Sequence, residues 1–452
     1  MAVIPVRRLL LNMAWPMMLS MLIQALYNLV DSMFVAQLSS DGFVALALVY
    51  PIQTLMIAVC VGTGVGFNAL LARRLGEGRP DEANRVVANG YFVYLVCWVV
   101  FLVLGVGLAP VFMELFAPGQ PQVIDYGIQY LSIVTGASVG ICMQFAGERT
   151  LQATGNTVGP MVIQGIGAVI NLILDPLLIF GIGPFPRMEV AGAALATVIG
   201  QICGALLALM FNLRKNTDVH FQLKNLRPSA PVIGGIYSVG VPSIAMQSIG
   251  SVMVFGMNQI LIAFTATATA VFGVYFKLQS FIFMPVFGLN NGMVPIIAYN
   301  YGARKPERIV KTIKLSVMYA VGIMLLGLLA FQLIPDVFLG MFMAEDSGSD
   351  MLTIGVPALR IISISFLLAG FSVVCSSVFQ ALGHGVLSLA VSVIRQLVVL
   401  LPVAFVLSRV RGLDAVWWAY PIAELFAVTL SALFLRRVFR REVEPLKKLT
   451  EI

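Results

Sequence analysis

The chain has 452 residues, of which 59% are hydrophobic and 11% are charged, and its mean hydropathy is +0.95. A soluble domain carries about 25% charged residues, so this composition excludes a soluble globular protein and indicates a polytopic membrane protein. The net charge of +7 does not indicate a nucleic-acid partner, because the basic residues collect in loops on one predicted side of the membrane.

Twelve apolar runs are long enough to cross a bilayer, which takes about 20 helical residues. They lie at roughly 10–37, 43–72, 86–114, 123–152, 158–182, 190–212, 233–262, 268–299, 309–338, 352–381, 386–408 and 414–435. The first run lacks a small-residue cleavage site, so we interpret it as an uncleaved span and not as a signal peptide. The runs predict an all-α protein with twelve transmembrane helices.

The polar stretch at 214–231 divides the spans into two sets of six. The predicted organisation is an N-terminal lobe at 1–213, a cytoplasmic linker at 214–231, a C-terminal lobe at 232–438 and a basic cytoplasmic tail at 439–452.

The two sets of spans resemble each other. Three pairs of residues are 226 positions apart: Pro16 and Pro242, Gly76 and Gly302, and Pro80 and Pro306. QATGN at 152–156 also matches QALGH at 380–384. Because six is an even number, both copies enter the membrane from the same side, which predicts two six-helix bundles related by a pseudo-twofold axis along the membrane normal.

Most of the 28 lysines and arginines lie at the N-terminus, in the loops after spans two, six and eight, and in the tail. The positive-inside rule then predicts that both termini are cytoplasmic, in a cell (plasma or inner) membrane. We expect a monomer surrounded by membrane lipid.

Three carboxyl groups interrupt the apolar runs of the first half: Asp31, Glu148 and Asp175. A charged side chain at the bilayer centre costs on the order of 3 kcal/mol, so these acids are candidates for ion coupling. Amides share their helical faces, and an amide can hydrogen-bond either form of a carboxyl group. These amides are Gln24 and Asn28 beside Asp31, Gln144 and Gln152 beside Glu148, and Gln164 and Asn171 beside Asp175.

The predicted ion-coupling residues are Asp31, Asp175, Glu148, Asn171 and Asn28, and the ion is a proton or Na⁺. We expect no cofactor and no bound metal, and the two histidines offer no catalytic or metal constellation. The alternative is that these polar groups are structural hydrogen bonds between helices, with Arg149 neutralising one acid. Pro16 shares a helix with Asp31 and is a candidate hinge, because proline removes a helical hydrogen bond.

The second half lacks counterparts of Asp31 and Glu148 and is instead rich in methionine and phenylalanine, which adapt to varied apolar or cationic ligands. The predicted substrate-binding residues are Gln24, Asn68, Gln144, Met246, Gln247, Met253, Met257, Phe281 and Met284. The same residues could simply pack or face lipid. Lys277 and Glu424 are expected to pair or to snorkel.

Several motifs make the chain resemble the MATE (multidrug and toxic compound extrusion) family over nearly its whole length. They are NLVDSMFVAQL at 28–38, RLGEGRPDEANRVV at 74–87, LQATGNTVGPM at 151–161, NLILDPLLIFGIG at 171–183, VAGAALATVIGQ at 190–201 and NYGARKPERI at 300–309.

The resemblance implies two six-helix lobes, a central cleft that opens alternately to each side, and export of amphipathic or cationic small molecules against an inward flow of protons or Na⁺. The resemblance also implies that Asp31 and Asp175 couple ion flow to transport, with Asn171 as their partner. Spans seven and ten lack the acids of the sodium-type NorM branch, so the chain is more similar to the DinF-like and MepA-like branches.

Two other transport functions remain open: a dedicated exporter of an endogenous metabolite or natural product, and a lipid-linked oligosaccharide flippase of the same superfamily. The acidic stripes do not suit the basic cleft of a flippase. No enzymatic activity is expected.

Overall fold

A computed structural model of the protein describes residues 1–35, 37–220, 227–341 and 348–446. These residues are almost entirely helical, and no β-strand occurs among them. Part of the predicted linker (221–226) and the end of the predicted tail (447–452) lie outside the described residues.

The helices are α1 (Val6–Val35), α2 (Ser40–Gly76), α3 (Pro80–Phe116), α4 (Pro121–Gly136), α5 (Val139–Ala153), α6 (Val158–Phe180), α7 (Glu189–Lys215), α8 (Ala230–Ile262), α9 (Ala266–Gly302), α10 (Pro306–Leu333), α11 (Pro335–Gly340), α12 (Gly348–Ser363), α13 (Phe366–Ala381), α14 (Gly385–Val393), α15 (Leu401–Val410), α16 (Leu413–Val416) and α17 (Ala419–Val438). Two further stretches, Ile394–Leu400 and Phe439–Val443, are π-helical.

Eleven stretches of helix in the described part are long and apolar enough to cross a membrane. A twelfth is counted when α12 and α13, which meet at an angle of 51°, are taken as one bent span. The prediction of an all-α polytopic membrane protein is thereby confirmed.

The fourth and tenth predicted spans are each broken near their middle, although their sequences read as single apolar runs. Each break frees backbone carbonyl groups, and a side chain from a neighbouring helix donates to one of them. Nε1 of Trp98 in α3 lies 3.0 Å from the carbonyl oxygen of Gly136, and Nε2 of Gln332 in α10 lies 2.7 Å from that of Arg360.

The chain divides into two compact units. The first unit is Leu19–Gly240, and the second unit combines Met1–Met18 with Val241–Ile452. The divisions fall inside α1, two residues after Pro16, and inside α8, just before Pro242, and not in the 214–231 stretch. The predicted lobe boundaries stay a prediction.

Two glycines allow close backbone contacts that attach the start of α8 to the first unit and the start of α1 to the second unit. In the first unit, a Cβ on Gly66 of α2 would overlap the carbonyl oxygen of Ile236 in α8. In the second unit, a Cβ on Gly292 of α9 would lie 2.8 Å from the Cα of Ala14 in α1. Gly66 and Gly292 are 226 positions apart, so the repeat seen in the sequence also appears in the packing.

Candidate functional site

The first unit buries Asp175 completely, in the last third of α6. Asn171, one turn earlier, is 3% exposed. The amide of Asn171 is oriented so that both its nitrogen and its oxygen have hydrogen-bond partners. The nitrogen donates to Oδ2 of Asp175 at 2.8 Å and to the Tyr27 hydroxyl at 3.2 Å. The oxygen accepts from the Thr197 hydroxyl at 3.3 Å. Asn171 therefore links Asp175 to both α1 and α7.

Asp31 of α1 reaches the same place. Its carboxyl group lies within hydrogen-bond reach of the Asp175 carboxyl group, and the hydroxyl groups of Tyr27 and Tyr130 lie near both acids. Tyr130 in turn donates to Oε1 of Gln53 at 3.1 Å. A hydrogen bond between two carboxyl groups requires that one of them holds a proton. We call Asp31, Asp175, Asn171 and Tyr27 the acid-pair site.

One oxygen of Asp175 lacks a conventional donor. Its Oδ1 atom is buried and receives no hydrogen bond from the N–H and O–H groups of the described residues. A buried acceptor without a donor costs about 1–3 kcal/mol, and a proton held by the acid pair is a donor that could satisfy this oxygen.

Glu148 forms a second polar centre in the first unit. It is 2% exposed in α5, and both of its oxygens accept from amides: Oε1 from Gln144 at 2.9 Å and Oε2 from Gln164 at 2.8 Å. Gln164 is held in turn by the Ser20 hydroxyl of α1. Because Gln164 and Asp175 share a face of α6, the sequence predicted that they are partners. Gln164 lies about three turns of α6 from Asp175 and donates to Glu148 instead.

Arg149 belongs to a third cluster. Its Nη1 donates to Oε1 of Gln152 at 2.8 Å, and Nδ2 of Asn68 donates to the same oxygen at 3.3 Å. The guanidinium group lies 5.9 Å from the centre of the Phe145 ring. Asn68, a predicted substrate contact, is thus a buried member of this cluster.

The remaining candidates of the first unit lie on α1. Nε2 of Gln24 donates to Oδ1 of Asn28 at 3.2 Å, and both side chains are exposed. They sit in the two turns that precede Asp31. Pro16 lies inside α1, and its role as a hinge stays a prediction.

In the second unit, the predicted substrate-binding residues differ in their burial and in their contacts. Sδ of Met246 lies 3.7 Å from Nε2 of Gln380, and Sδ of Met253 lies 3.8 Å from the Tyr420 hydroxyl. Met257 is fully buried and Gln247 is exposed. Phe281 and Met284 are both half-buried. Their role as substrate contacts stays a prediction.

Glu424 pairs with Arg395: Nη1 of Arg395 lies 3.3 Å from its Oε1. No group of three histidine, cysteine, aspartate or glutamate side chains in the described ranges is placed to hold a metal ion. In the first unit, Glu148 and Asp175 place carboxyl groups in buried positions, and a carboxyl group can take up or release a proton.

Sequence reasoning missed Tyr27, Tyr130, Thr197 and Ser20. Tyr27 stands four residues before Asp31, so the helical spacing that identified Gln144 beside Glu148 would also have found it. Thr197 and Ser20 lie in apolar helices, and nothing in the sequence tells which helices are neighbours.

Comparisons with known proteins give a consistent result. The family model MatE matches residues 16–177 and 242–406. The chain is 26% identical to an FAD transporter of Shewanella oneidensis, over 99% of this chain and 97% of that protein. It is 27% identical to the multidrug export protein MepA of Staphylococcus haemolyticus, over 93% of this chain and 91% of that one. A MOP superfamily transporter from Pyrococcus furiosus has the same fold, with a TM-score of 0.90, 24% identity, and coverage of 98% of this chain and 97% of that chain.

Proposed function

The chain belongs to the MatE family of membrane transporters, and on this premise we propose that it is a proton-coupled antiporter that exports amphipathic or cationic organic compounds by alternating access. The observation that carries the proposal is the acid-pair site, where the carboxyl groups of Asp31 and Asp175 meet inside the first unit.

The acid pair provides a simple coupling element. With one proton, the two carboxyl groups share a hydrogen bond, and Asn171 donates to Asp175. When the proton leaves, two negative charges face each other in a poorly solvated place, where their repulsion is strong. Loss of the proton therefore favours a different arrangement of α1 and α6, and a cationic cargo that binds this arrangement better competes with the proton.

Glu148 is proposed as the third coupling acid. Its two amide donors, Gln144 and Gln164, stabilise the charged form, and each amide can also accept from the protonated form after rotation. Because Ser20 of α1 holds Gln164, a change of charge at Glu148 is felt by the same helix that carries Asp31.

The relatives support export of small molecules as the function. One of them is a multidrug export protein and another is an FAD transporter, and each aligns over more than nine-tenths of its length. The latter favours a second candidate, a dedicated exporter of one endogenous metabolite by the same mechanism. We place the protein in the cell membrane with both termini in the cytoplasm, on the strength of the basic loops.

The test uses the full chain in proteoliposomes. Efflux of a fluorescent amphipathic cation is measured with a pH gradient and a Na⁺ gradient imposed separately. The pH gradient should drive efflux, and Asp31→Asn and Asp175→Asn should each abolish it. Asp125→Asn, an exposed acid of α4, is the control and should transport normally. Efflux that survives in both acid variants, or that only Na⁺ drives, would reject the proposal.

A further inference from the structure

The second unit contains a buried ion pair that the proposed coupling does not use. Nη1 of Arg395 lies 3.3 Å from Oε1 of Glu424, and the Glu424 side chain is only 6% exposed. Ser372 lies within hydrogen-bond reach of the same carboxyl group, and Tyr275 lies close to both members of the pair. The Arg395 side chain is 25% exposed, but burying the Glu424 charge still costs several kcal/mol, so stability alone does not explain the pair.

In the first unit, the positions of α6 and α7 that correspond to Arg395 and Glu424 carry no charged residue. The residues 228 positions before Arg395 and Glu424 are Gly167 of α6 and Ala196 of α7. A Cβ on Gly167 would lie 3.3 Å from the carbonyl oxygen of Gly200, so α6 and α7 meet through small residues. Packing of the two helices does not need an ion pair, and the second unit has added one.

The helix around Arg395 is also unusual. Ile394–Leu400 is π-helical, and the backbone N–H of Leu401 donates to the carbonyl oxygen of Gln396, five residues back. Such wide turns are rare and occur frequently at functional sites. In the first unit, α6 is α-helical throughout Val158–Phe180. The irregular turn and the charged pair therefore appear together, in one unit only.

Aromatic side chains pack around Tyr275, which lies close to both members of the pair. The rings of Tyr275 and Tyr420 lie 5.9 Å apart, and Phe272 lies 6.3 Å from Tyr420 and 6.5 Å from Trp417. Trp417 is fully buried, and its Nε1 donor has no hydrogen-bond partner among the residues that the structure describes. Phe272, Trp417 and Tyr275 are all buried, so they form an apolar aromatic environment that reaches the pair through Tyr275.

We propose that Arg395 binds an oxyanion of the cargo, a carboxylate or a phosphate, in exchange for Glu424. A guanidinium group has five N–H donors in a fork that fits such an anion with two parallel hydrogen bonds. The cationic group of the same cargo then compensates Glu424, which would otherwise be left charged and unpaired. The inference rests on the proposed transport function and narrows its cargo to amphipathic aromatic compounds that carry both charges.

The test compares two dyes that differ in one group. Rhodamine B carries a cation and a free carboxylate, and its ethyl ester carries the cation alone. Binding of each dye to the full chain is measured by fluorescence polarisation in phosphatidylcholine nanodiscs. Arg395→Gln should weaken the binding of rhodamine B at least about tenfold, the loss expected for a charge-assisted hydrogen bond. It should not weaken the binding of the ester, because the cation of the ester can then pair with Glu424. Arg409→Gln, on the same span and stacked on Phe405, is the matched control.

Glu424→Gln keeps the test decisive if Arg395→Gln does not fold. This variant frees Arg395 for the carboxylate of rhodamine B, but it removes the charge that meets the cation of both dyes. The ester should therefore bind more weakly, and the ratio of the two affinities should shift further in favour of rhodamine B. Equal changes for both dyes would show a structural pair and overturn the proposal. If the two dyes bind equally well in nanodiscs that contain phosphatidylglycerol, the oxyanion that Arg395 binds is a lipid headgroup and not the cargo. Binding of the dyes does not depend on ion coupling, so a failure here is separate from a failure of proton-driven efflux.

Discussion

At the scale of single residues, Asn171 matters because it donates to Asp175 and to Tyr27 at once. Asn171→Ala should leave Asp175 with one donor fewer and uncouple it from α1. We expect proton-driven efflux to fall about tenfold or more, because a hydrogen bond to a charged group is worth about 1.5–3 kcal/mol.

The control for Asn171→Ala is Gln129→Ala. Gln129 also donates to a carboxylate, Oδ2 of Asp125 at 2.8 Å, but at an exposed position. Initial efflux rates in proteoliposomes, normalised to reconstituted protein, measure both variants. Equal rates for Asn171→Ala and the unchanged chain would show that Asp175 does not need this donor.

Glu77 follows the end of α2 and gives a prediction on pH. Burial alone would raise the pKa of Glu77, but hydrogen bonds and charges from Arg74 and Arg73 outweigh it and lower the pKa below its usual value. An acid with a lowered pKa stabilises the fold above its ordinary pKa of about 4.3, and this contribution is lost as the pH falls.

Glu77→Gln should therefore lower the apparent unfolding temperature at pH 7, by an amount equivalent to about 1 kcal/mol or less for a partly exposed network. The difference from the unchanged chain should shrink as the pH approaches 4. Thermal unfolding in detergent at several pH values measures it, with the exposed Glu114→Gln as a reference. A difference that is the same at pH 4 and pH 7 would contradict the assignment to charge.

The sequence identified the three acids because a charge in an apolar run is conspicuous. One-turn spacing also identified two of their contacts, Gln144 to Glu148 and Asn171 to Asp175. It did not indicate that Asp31 and Asp175 meet, because that depends on how α1 packs against α6. Helical periodicity gives the face of a helix but not its neighbour.

At the scale of elements, the contact of α2 with α8 depends on Gly66. A Cβ at this position would overlap the backbone carbonyl group of Ile236, and backbone cannot move aside as a flexible side chain can. Gly66→Ala should therefore destabilise the first unit, although alanine at an unhindered helical position is about 1 kcal/mol more favourable than glycine.

The matched control is Gly165→Ala in α6, where no heavy atom lies within 4 Å of the added Cβ. We expect Gly66→Ala to lower the unfolding temperature by several degrees and Gly165→Ala to leave it unchanged or raise it. Thermal unfolding of the purified variants in one detergent measures both. Similar effects for the two substitutions would argue against the close approach of α2 and α8.

The existence of the helices was predictable from the sequence, and their interruptions were not. A span of 20 or more apolar residues is a strong signal, but Gln332 closes the break at Ser363 from another helix. The π-helical stretch at Arg395 is followed by Pro402, which lacks an N–H and disturbs the preceding helical turn, but a proline alone does not tell whether a helix will kink or widen. Such features depend on tertiary contacts that periodicity does not contain.

At the scale of the whole molecule, one contact constrains the topology. Nη2 of Arg308 in α10 donates to the carbonyl oxygens of Met1 at 2.8 Å and Ile4 at 2.7 Å, and Nζ of Lys305 donates to that of Ala2 at 3.2 Å. The N-terminus and the loop between α9 and α10 must therefore lie on one side of the membrane, so an even number of spans separates them.

If α4 and α5 count as one broken span, eight spans separate the N-terminus from the loop between α9 and α10. If they count as two spans, the number is nine, which is odd and does not agree with the hydrogen bonds of Arg308 and Lys305 to the N-terminus. Single cysteines test this with a membrane-impermeant maleimide. Ala2→Cys and Asp81→Cys should be labelled only in inside-out vesicles. Pro184→Cys, in the exposed loop between α6 and α7, should be labelled only in right-side-out vesicles, because five spans precede it when α4 and α5 count as one. Background labelling should be low, because four of the five natural cysteines are buried. Labelling of Ala2→Cys and Pro184→Cys from the same side would contradict the count of α4 and α5 as one span. Labelling of Ala2→Cys in right-side-out vesicles would contradict a cytoplasmic N-terminus.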